Sequence, residues 1–449
     1  MLKISKYNIK SLALAFYLAG VFVTMPILTI NFFGRLISIF SLLFALLYAS
    51  VFITAVKQGG EIRLNHSSTL LATWFIMSLI SSLAGAIYFI DELVWFKQSL
   101  SYVPKILLYL SLLLLLVSVN NHSELKIKFV KGFITGCMLN LVWSVFEGFS
   151  FYLYDVALND IVFADYLNAL PEEIPNLTLI RDGIIRAAGF NYDPAHLGGI
   201  IPIVFIYGLF KRNILILLLA VFSLIFSAST TAFVTCVIVL AINIKILNVF
   251  KFKLITQKFK NKNAAWMFMI ISIFASVTLV ANIQLLEGVS NNINGFFTRA
   301  NETYIDNQDR GPRYVYHAYL LEAMANSGFG LLTGTGFGTG SHPYVSDSKI
   351  IAMLDSESYY PYDPESTYIS YLFDVGIFGL LLYFVILSSQ LLKYRRMLHI
   401  GDTEIIIYST LCSMFVSGLF YHYTFVAYHI LILIFAVSSR NTYRIWRYK

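Results

Sequence analysis

Two arginines five positions apart, Arg181 and Arg186, precede Gly189, Phe190, Asp193, Pro194 and His196. A guanidinium offers a planar fork of donors that matches the oxygens of a phosphate, which the single ammonium of lysine cannot do. Further on, Arg299, Arg310 and Arg313 are followed by a glycine run, Gly334, Gly336, Gly338 and Gly340, and by the acids Asp355, Glu357, Asp363 and Glu365. Together these residues point to recognition or chemistry of an anionic group. Plainer readings stand beside that one. Arg181 and Arg186 can pair with Glu172, Glu173 or Asp182, and Asp193-Pro194 reads as a helix-start cap with proline in the first turn. Glu365 reads as a helix-start acid favoured by the macrodipole, whereas Asp374, two turns further in, is costlier to bury. Arg310-Gly-Pro-Arg313 opens a helical stripe of Tyr314, His317, Leu320, Leu321 and Met324, which predicts an amphipathic helix on the membrane surface with an anion-suited N-terminus. The glycine run lacks the lysine of a P-loop and follows no strand, so it reads as a flexible turn that admits a substrate closely. His422 and His429 read as packing residues or linings of a wet cavity.

The elements that must position these residues are membrane spans. Apolar residues make up 58% of the chain and charged residues 13%, against about 25% charged in a soluble domain. The mean hydropathy is +0.71. Apolar stretches near 11–31, 34–56, 68–90, 100–119, 132–153, 197–210, 214–226, 230–247, 264–285, 366–390, 404–420 and 422–438 predict an all-α polytopic membrane protein with about 12 transmembrane helices. The three short stretches between 197 and 247 also allow a re-entrant pair. Threading the chain from an internal N-terminus places 23 of the 32 Lys and Arg residues inside, including the basic loop of about 245–263. That obeys the positive-inside rule at every loop. It leaves two large external loops, about 154–196 and 286–365, and puts both termini in the cytoplasm. The net charge of +7 then belongs to lysines at anionic headgroups, each contributing about 1 kcal/mol, and calls for no nucleic acid. The basic, apolar start is read as a retained first span, since no small-residue cleavage site follows it. Cys137, Cys236 and Cys412 fall within spans and read as small core residues.

The chain reads as a single membrane-embedded domain over 1–449, without internal repeats. Its asymmetric halves favour an embedded enzyme over an alternating-access carrier. It has no Asp-x-Asp pair, zinc-ligand spacing, nucleophile elbow or Walker lysine. These absences imply a substrate activated beforehand, and no cofactor is expected.

Four short motifs carry a resemblance to the O-antigen polymerase and ligase superfamily of bacterial envelopes. Arg186-x-x-Gly189-Phe190 followed by Asp193-Pro194-x-x-Leu197 resembles its Arg-x-x-Gly-Phe…Pro-Asn-x-Leu-Gly element. Ser227-Ala-Ser-Thr-Thr-Ala232 is similar to its Ser-Arg-Thr-Ala turn, with Thr230 or Thr231 where arginine is usual. Arg313 with His317, closing at Gly334-x-Gly336-x-Gly338, resembles its large external loop. Glu365-Ser-x-Tyr-Ile-x-Tyr-Leu…Gly376-Ile-x-Gly379 is similar to a ligase element that begins His-Asn, and glutamate in place of that histidine tilts the resemblance towards the polymerases.

The resemblance implies a type C glycosyltransferase-like fold in the inner membrane with two large periplasmic loops. It implies metal-independent, inverting transfer of a glycan from undecaprenyl pyrophosphate to a sugar hydroxyl of another lipid-linked repeat unit, with a chain-length regulator as a further partner. A pyrophosphate leaving group needs fixed positive charge, and the attacking hydroxyl needs a base. Arg186 and Arg313, supported by Arg181 or Arg310, are the candidates for the first role. Glu365 is the candidate for the second, with Asp193 and His196 in reserve. A ligase joining the glycan to lipid A core is the close alternative. A lipid-linked oligosaccharide flippase is the non-enzyme alternative; it would need a cationic central cavity, yet Lys105 is the single buried base expected among the spans.

Overall fold

The computed structural model describes residues 6–32, 35–58, 62, 64–88, 93–119, 122–166, 179–181, 184–191, 194–247, 321–322, 329–337, 366–419 and 427–438. The described chain is overwhelmingly helical. It begins with α1 (Lys6–Phe22), a hairpin of β1 (Thr29–Phe32) and β2 (Arg35–Ser38), then α2 (Ile39–Gln58), α3 (His66–Tyr88), α4 (Leu93–Ser118) and α5 (His122–Tyr154). A π-helical turn (Asp160–Tyr166) and a second hairpin, β3 (Leu179–Arg181) with β4 (Ile184–Arg186), lead to α6 (Pro194–Lys211), α7 (Ile214–Ser227) and α8 (Thr230–Leu247). The later described elements are α9 (Phe329–Thr333), α10 (Thr367–Arg396), α11 (Asp402–Ser417) and α12 (Ala427–Ser438).

Among the described residues, five helical stretches are long and apolar enough to cross a membrane: Ile39–Val56, His66–Ile87, Ser99–Ser118, Ser123–Tyr154 and Thr367–Arg396. Shorter apolar helices lie at Leu12–Phe22, His196–Lys211, Ile214–Ser227, Thr230–Asn243 and Ala427–Ser438. Helices therefore occur at the sites of the predicted spans, except for 264–285, which lies outside the described residues. Between 197 and 247 the chain makes three separate helices, with breaks at Arg212-Asn213 and Ala228-Ser229. Asn213 caps α7 by accepting from the Leu215 N–H, which offsets an orphan donor of the first turn. Several serines and threonines inside the apolar helices turn back onto their own backbone. Ser78 donates to Trp74 O at 2.8 Å, Ser409 to Ile405 O at 2.8 Å and Thr410 to Ile406 O at 2.9 Å. A hydroxyl satisfied within its own helix adds no unpaired polar group to an apolar setting.

The described residues group into two compact units. One comprises residues 1–20, 43–132 and 306–449, the other 21–42 and 133–305. In the first unit, α3 packs along α4 and α10 around the fully buried Trp74. Its ring meets Phe75, Phe337, Tyr371 and Tyr383 at centroid distances of 5.5, 6.1, 5.4 and 5.5 Å. In the second unit, α6 packs on α7 and α8, and Ile27 and Phe163 form a small core joined by Trp143 and Phe190. The two hairpins are antiparallel, with Ile30 opposite Ile37 and Ile180 opposite Ile185. Neither hairpin is evident in the sequence pattern. The first lies where the ends of two spans were expected, and the second lies within the loop at 154–196.

Candidate functional site

The second unit holds Arg186 by fixing the backbone that follows it. Arg186 ends β4, and the next residue, Ala187, donates its N–H to Phe226 O at 2.9 Å. Glu147 of α5 is fully buried, and its Oε2 accepts the N–H groups of Ala188 and Gly189, each at 3.1 Å. About two turns earlier on the same helix, buried Asn140 accepts through Oδ1 from the Phe190 N–H at 2.9 Å and from Asn191 Nδ2 at 3.1 Å. The Asn140 amide nitrogen donates to Thr24 O. Gly189 has φ +65 and lies against Asn140, where a Cβ would overlap the amide oxygen. Any other residue would therefore meet both left-handed strain and a clash. Phe190 stacks on Trp143 at 5.1 Å and 20°. Trp143 Nε1 donates to Asn159 Oδ1 at 2.7 Å, and Asn159 Nδ2 returns to Gly189 O at 3.1 Å. Donors and acceptors of the loop are thus paired on both sides, which is what a buried backbone turn requires.

This network also joins two of the four motifs. Phe226, whose carbonyl receives the Ala187 N–H, is followed by the Ser227-Ala228-Ser229 turn. Ala228 there adopts φ 45 and closes α7 by donating to Ile225 O. Ser229 Oγ accepts from the Ala232 N–H at 3.3 Å and so caps α8. Gly198, in the first turns of α6, packs directly on the Ser229 hydroxyl. The start of α6, with buried Pro194 at its first position and half-buried His196 after it, is therefore placed beside the same turn.

The first unit joins the other two motifs. Inside α10, Gly376 leaves the helical region with φ 70 and ψ −179, and the chain breaks there into two helical halves. The exposed backbone of that break takes a partner from the glycine run: Thr335 N–H donates to Phe373 O at 2.8 Å and Gly336 N–H to Asp374 O at 3.1 Å. Ser81 of α3 donates to the same Asp374 carbonyl. A Cβ at Gly376 would overlap Leu332 O, and one at Gly334 would overlap the Asp374 carbonyl. For Gly334 and Gly336 the expected flexible turn is therefore corrected. Close approach is made by the protein's own backbone, and the turn is pinned. Asp374 is 4% exposed, as its position two turns into the helix implied.

Of the predicted site residues, Arg186 and His196 are described. Arg181 is placed on β3, where its strand pairs with Ile184 across the hairpin. Asp193, Arg310, Arg313 and Glu365 lie outside the described residues, as do Arg299, His422, most of the 286–365 loop and the basic loop beyond 247. Lys105 requires a correction. Expected as a buried base, it is exposed on α4, whereas Ser99 and Tyr109 of the same helix are buried. His429 is buried against Tyr428, with ring centroids 4.4 Å apart, the packing role that was one of its two readings. Cys137, Cys236 and Cys412 are free and buried. The residues missed by sequence reasoning are Asn140 and Glu147. Their signal was available: a polar or ionisable side chain within an apolar span is expensive there and marks a site.

Long apolar helices carrying paired polar motifs define a polytopic membrane protein. Residues 215–384 match the family model described as O-antigen ligase. That supports membership of the O-antigen polymerase and ligase superfamily, whose enzymes act on lipid-linked glycans. The match covers the Ser227 turn, the glycine run and α10 through its break, and begins after the Arg186 loop. No curated protein matches the chain significantly.

Proposed function

We propose that the protein polymerises undecaprenyl-pyrophosphate-linked oligosaccharide repeat units into O-antigen or a related surface polysaccharide, at the outer face of the inner membrane, by inverting glycosyl transfer. The observation that carries this reading is the hydrogen-bonded attachment of the Arg186 loop to the 226–229 turn. It ties an arginine suited to phosphate to the segment that matches the family. Rigid backbone next to a guanidinium fits catalysis of this kind, because donors held in place before the reaction stabilise a developing pyrophosphate without reorganising. In this reading Arg186 and Arg313 hold the leaving pyrophosphate, Arg181 and Arg310 support them, and Glu365 takes the proton of the acceptor hydroxyl, with Asp193 and His196 as reserves. A ligase transferring the glycan to lipid A core is the second reading, favoured by the description of the matching family. Glutamate at 365, where the resembling ligases carry histidine, favours the polymerase.

Purified protein in nanodiscs, given an undecaprenyl-pyrophosphate-linked repeat unit alone, tests the proposal. A ladder of multiples of the unit is expected. Transfer that appears only when lipid A core is supplied would establish the ligase instead.

A further inference from the structure

Lys97, Ser101 and Lys105 follow one another at intervals of four residues along α4, so they share one helix face, and all three are exposed. Lys105 lies within Ser99–Ser118, a stretch long and apolar enough to cross a membrane. It is six residues in from the start of that stretch, or about 9 Å at the helical rise. A lysine at such depth on an exposed helix face is disfavoured in hydrocarbon and calls for an anion, water or a path to the interface. Among the described residues no carboxylate pairs with it. Its ammonium sits over the Tyr102 ring, 4.6 Å from the centroid, one turn back along the helix.

That ring contact leads into the family-matched segment. Tyr102 stacks on Phe337 at 5.9 Å and 27°. Phe337 ends the pinned glycine turn whose Gly336 binds the carbonyl of Asp374 at the break in α10. The basic-residue threading places the start of α4 on the outer side, with the motif-bearing loops. An exposed face bearing two lysines therefore runs along α4 and connects through the Tyr102 ring to the glycine turn.

We propose that Lys97 and Lys105 bind the pyrophosphate of the polyprenyl-linked substrate as it arrives from the bilayer. This rests on the functional reading above and adds to it the residues and the helix face that first receive the lipid. Two lysines suffice for this step, because it needs positive charge at a passing phosphate and no fixed orientation. The phosphate of an ordinary anionic phospholipid offers the same chemistry with less charge, and the experiment separates the two.

The full-length protein is placed in phosphatidylcholine nanodiscs and titrated with a fluorescent polyprenyl pyrophosphate, then challenged with phosphatidylglycerol. Lys105→Met is compared with Lys105→Arg and with Lys128→Met, a change at an exposed lysine near the start of α5. Methionine at an exposed intramembrane position removes a charge from hydrocarbon, so the variant is expected to insert normally. The loss of one charge-assisted contact predicts affinity weakened about tenfold in Lys105→Met, more in Lys97→Met/Lys105→Met, and unchanged in Lys105→Arg and Lys128→Met. Wild-type affinity in the double variant overturns the proposal, as does equal competition by phosphatidylglycerol, which would make this an ordinary phospholipid contact. Failure of the wild-type protein to bind the probe at all would instead overturn the functional reading on which the proposal rests.

Discussion

At the scale of single residues, two kinds of contribution separate: those that face a ligand and those that hold the backbone. Arg186 belongs to the first kind in our reading. Arg186→Lys keeps the charge and loses the fork, so it is expected to abolish long-chain product while the protein still inserts, as read on polysaccharide gels of a complemented deletion strain. Normal laddering would remove bidentate phosphate binding from the account. Glu147 belongs to the second kind. Glu147→Ala strands the buried N–H groups of Ala188 and Gly189, at about 1–3 kcal/mol for each unsatisfied group. Glu147→Gln retains an acceptor oxygen and is expected to be milder. Thermal unfolding in detergent should rank wild type above Glu147→Gln above Glu147→Ala. Glu365→Gln is predicted to leave single-repeat product only, since loss of a general base costs about 10² to 10⁴ in rate. A wild-type ladder would leave Glu365 a helix cap and move the search to Asp193 or His196.

At the scale of elements, the informative feature is that non-contiguous pieces of sequence complete one another's hydrogen bonding. The α10 break is stable because the glycine turn supplies donors to Phe373 and Asp374. Gly376→Ala is therefore expected to be more damaging than an ordinary glycine change in a helix. It adds a Cβ where φ is 70 and where Leu332 O already stands. The prediction is loss of monodisperse protein on size exclusion at an expression level that Gly379→Ala tolerates better, since the Cβ of Gly379 would meet chiefly the side chain of Val375. Equal behaviour of the two variants would contradict it. The helices themselves were legible from apolar length alone, because a bilayer demands about 20 such residues. The break in α10 was not, because glycine within a helical pattern does not announce whether the chain bends there or packs closely. The hairpins at 29–38 and 179–186 escaped notice for a related reason. Three- and four-residue strands carry too few alternations to stand out beside apolar spans.

At the scale of the whole molecule, the pattern of basic residues makes claims that go beyond packing. It places 154–196 and 286–365 outside and the lysine-rich segment inside. In a background lacking Cys137, Cys236 and Cys412, a cysteine at position 345 is expected to react with an impermeant reagent in spheroplasts, and one at position 256 only after lysis. The reverse result would overturn the threading. The candidate site was legible in part. Arg186, Gly189 and the glycine run stood out by residue type, whereas their supports, Asn140, Glu147 and Asn159, lie in helices or in a π-helical approach whose sequence shows only that a polar group is present. Polar residues that serve the backbone carry no motif, since any acceptor at the right height would do.

The central claim is polymerisation, and the banding of surface polysaccharide in a strain lacking this gene tests it most directly. The account predicts that the ladder collapses to lipid A core bearing a single repeat unit, and that the wild-type gene restores the ladder. Core without any glycan would show a lost ligase, and absence of external repeat units a lost transporter; either result contradicts the claim.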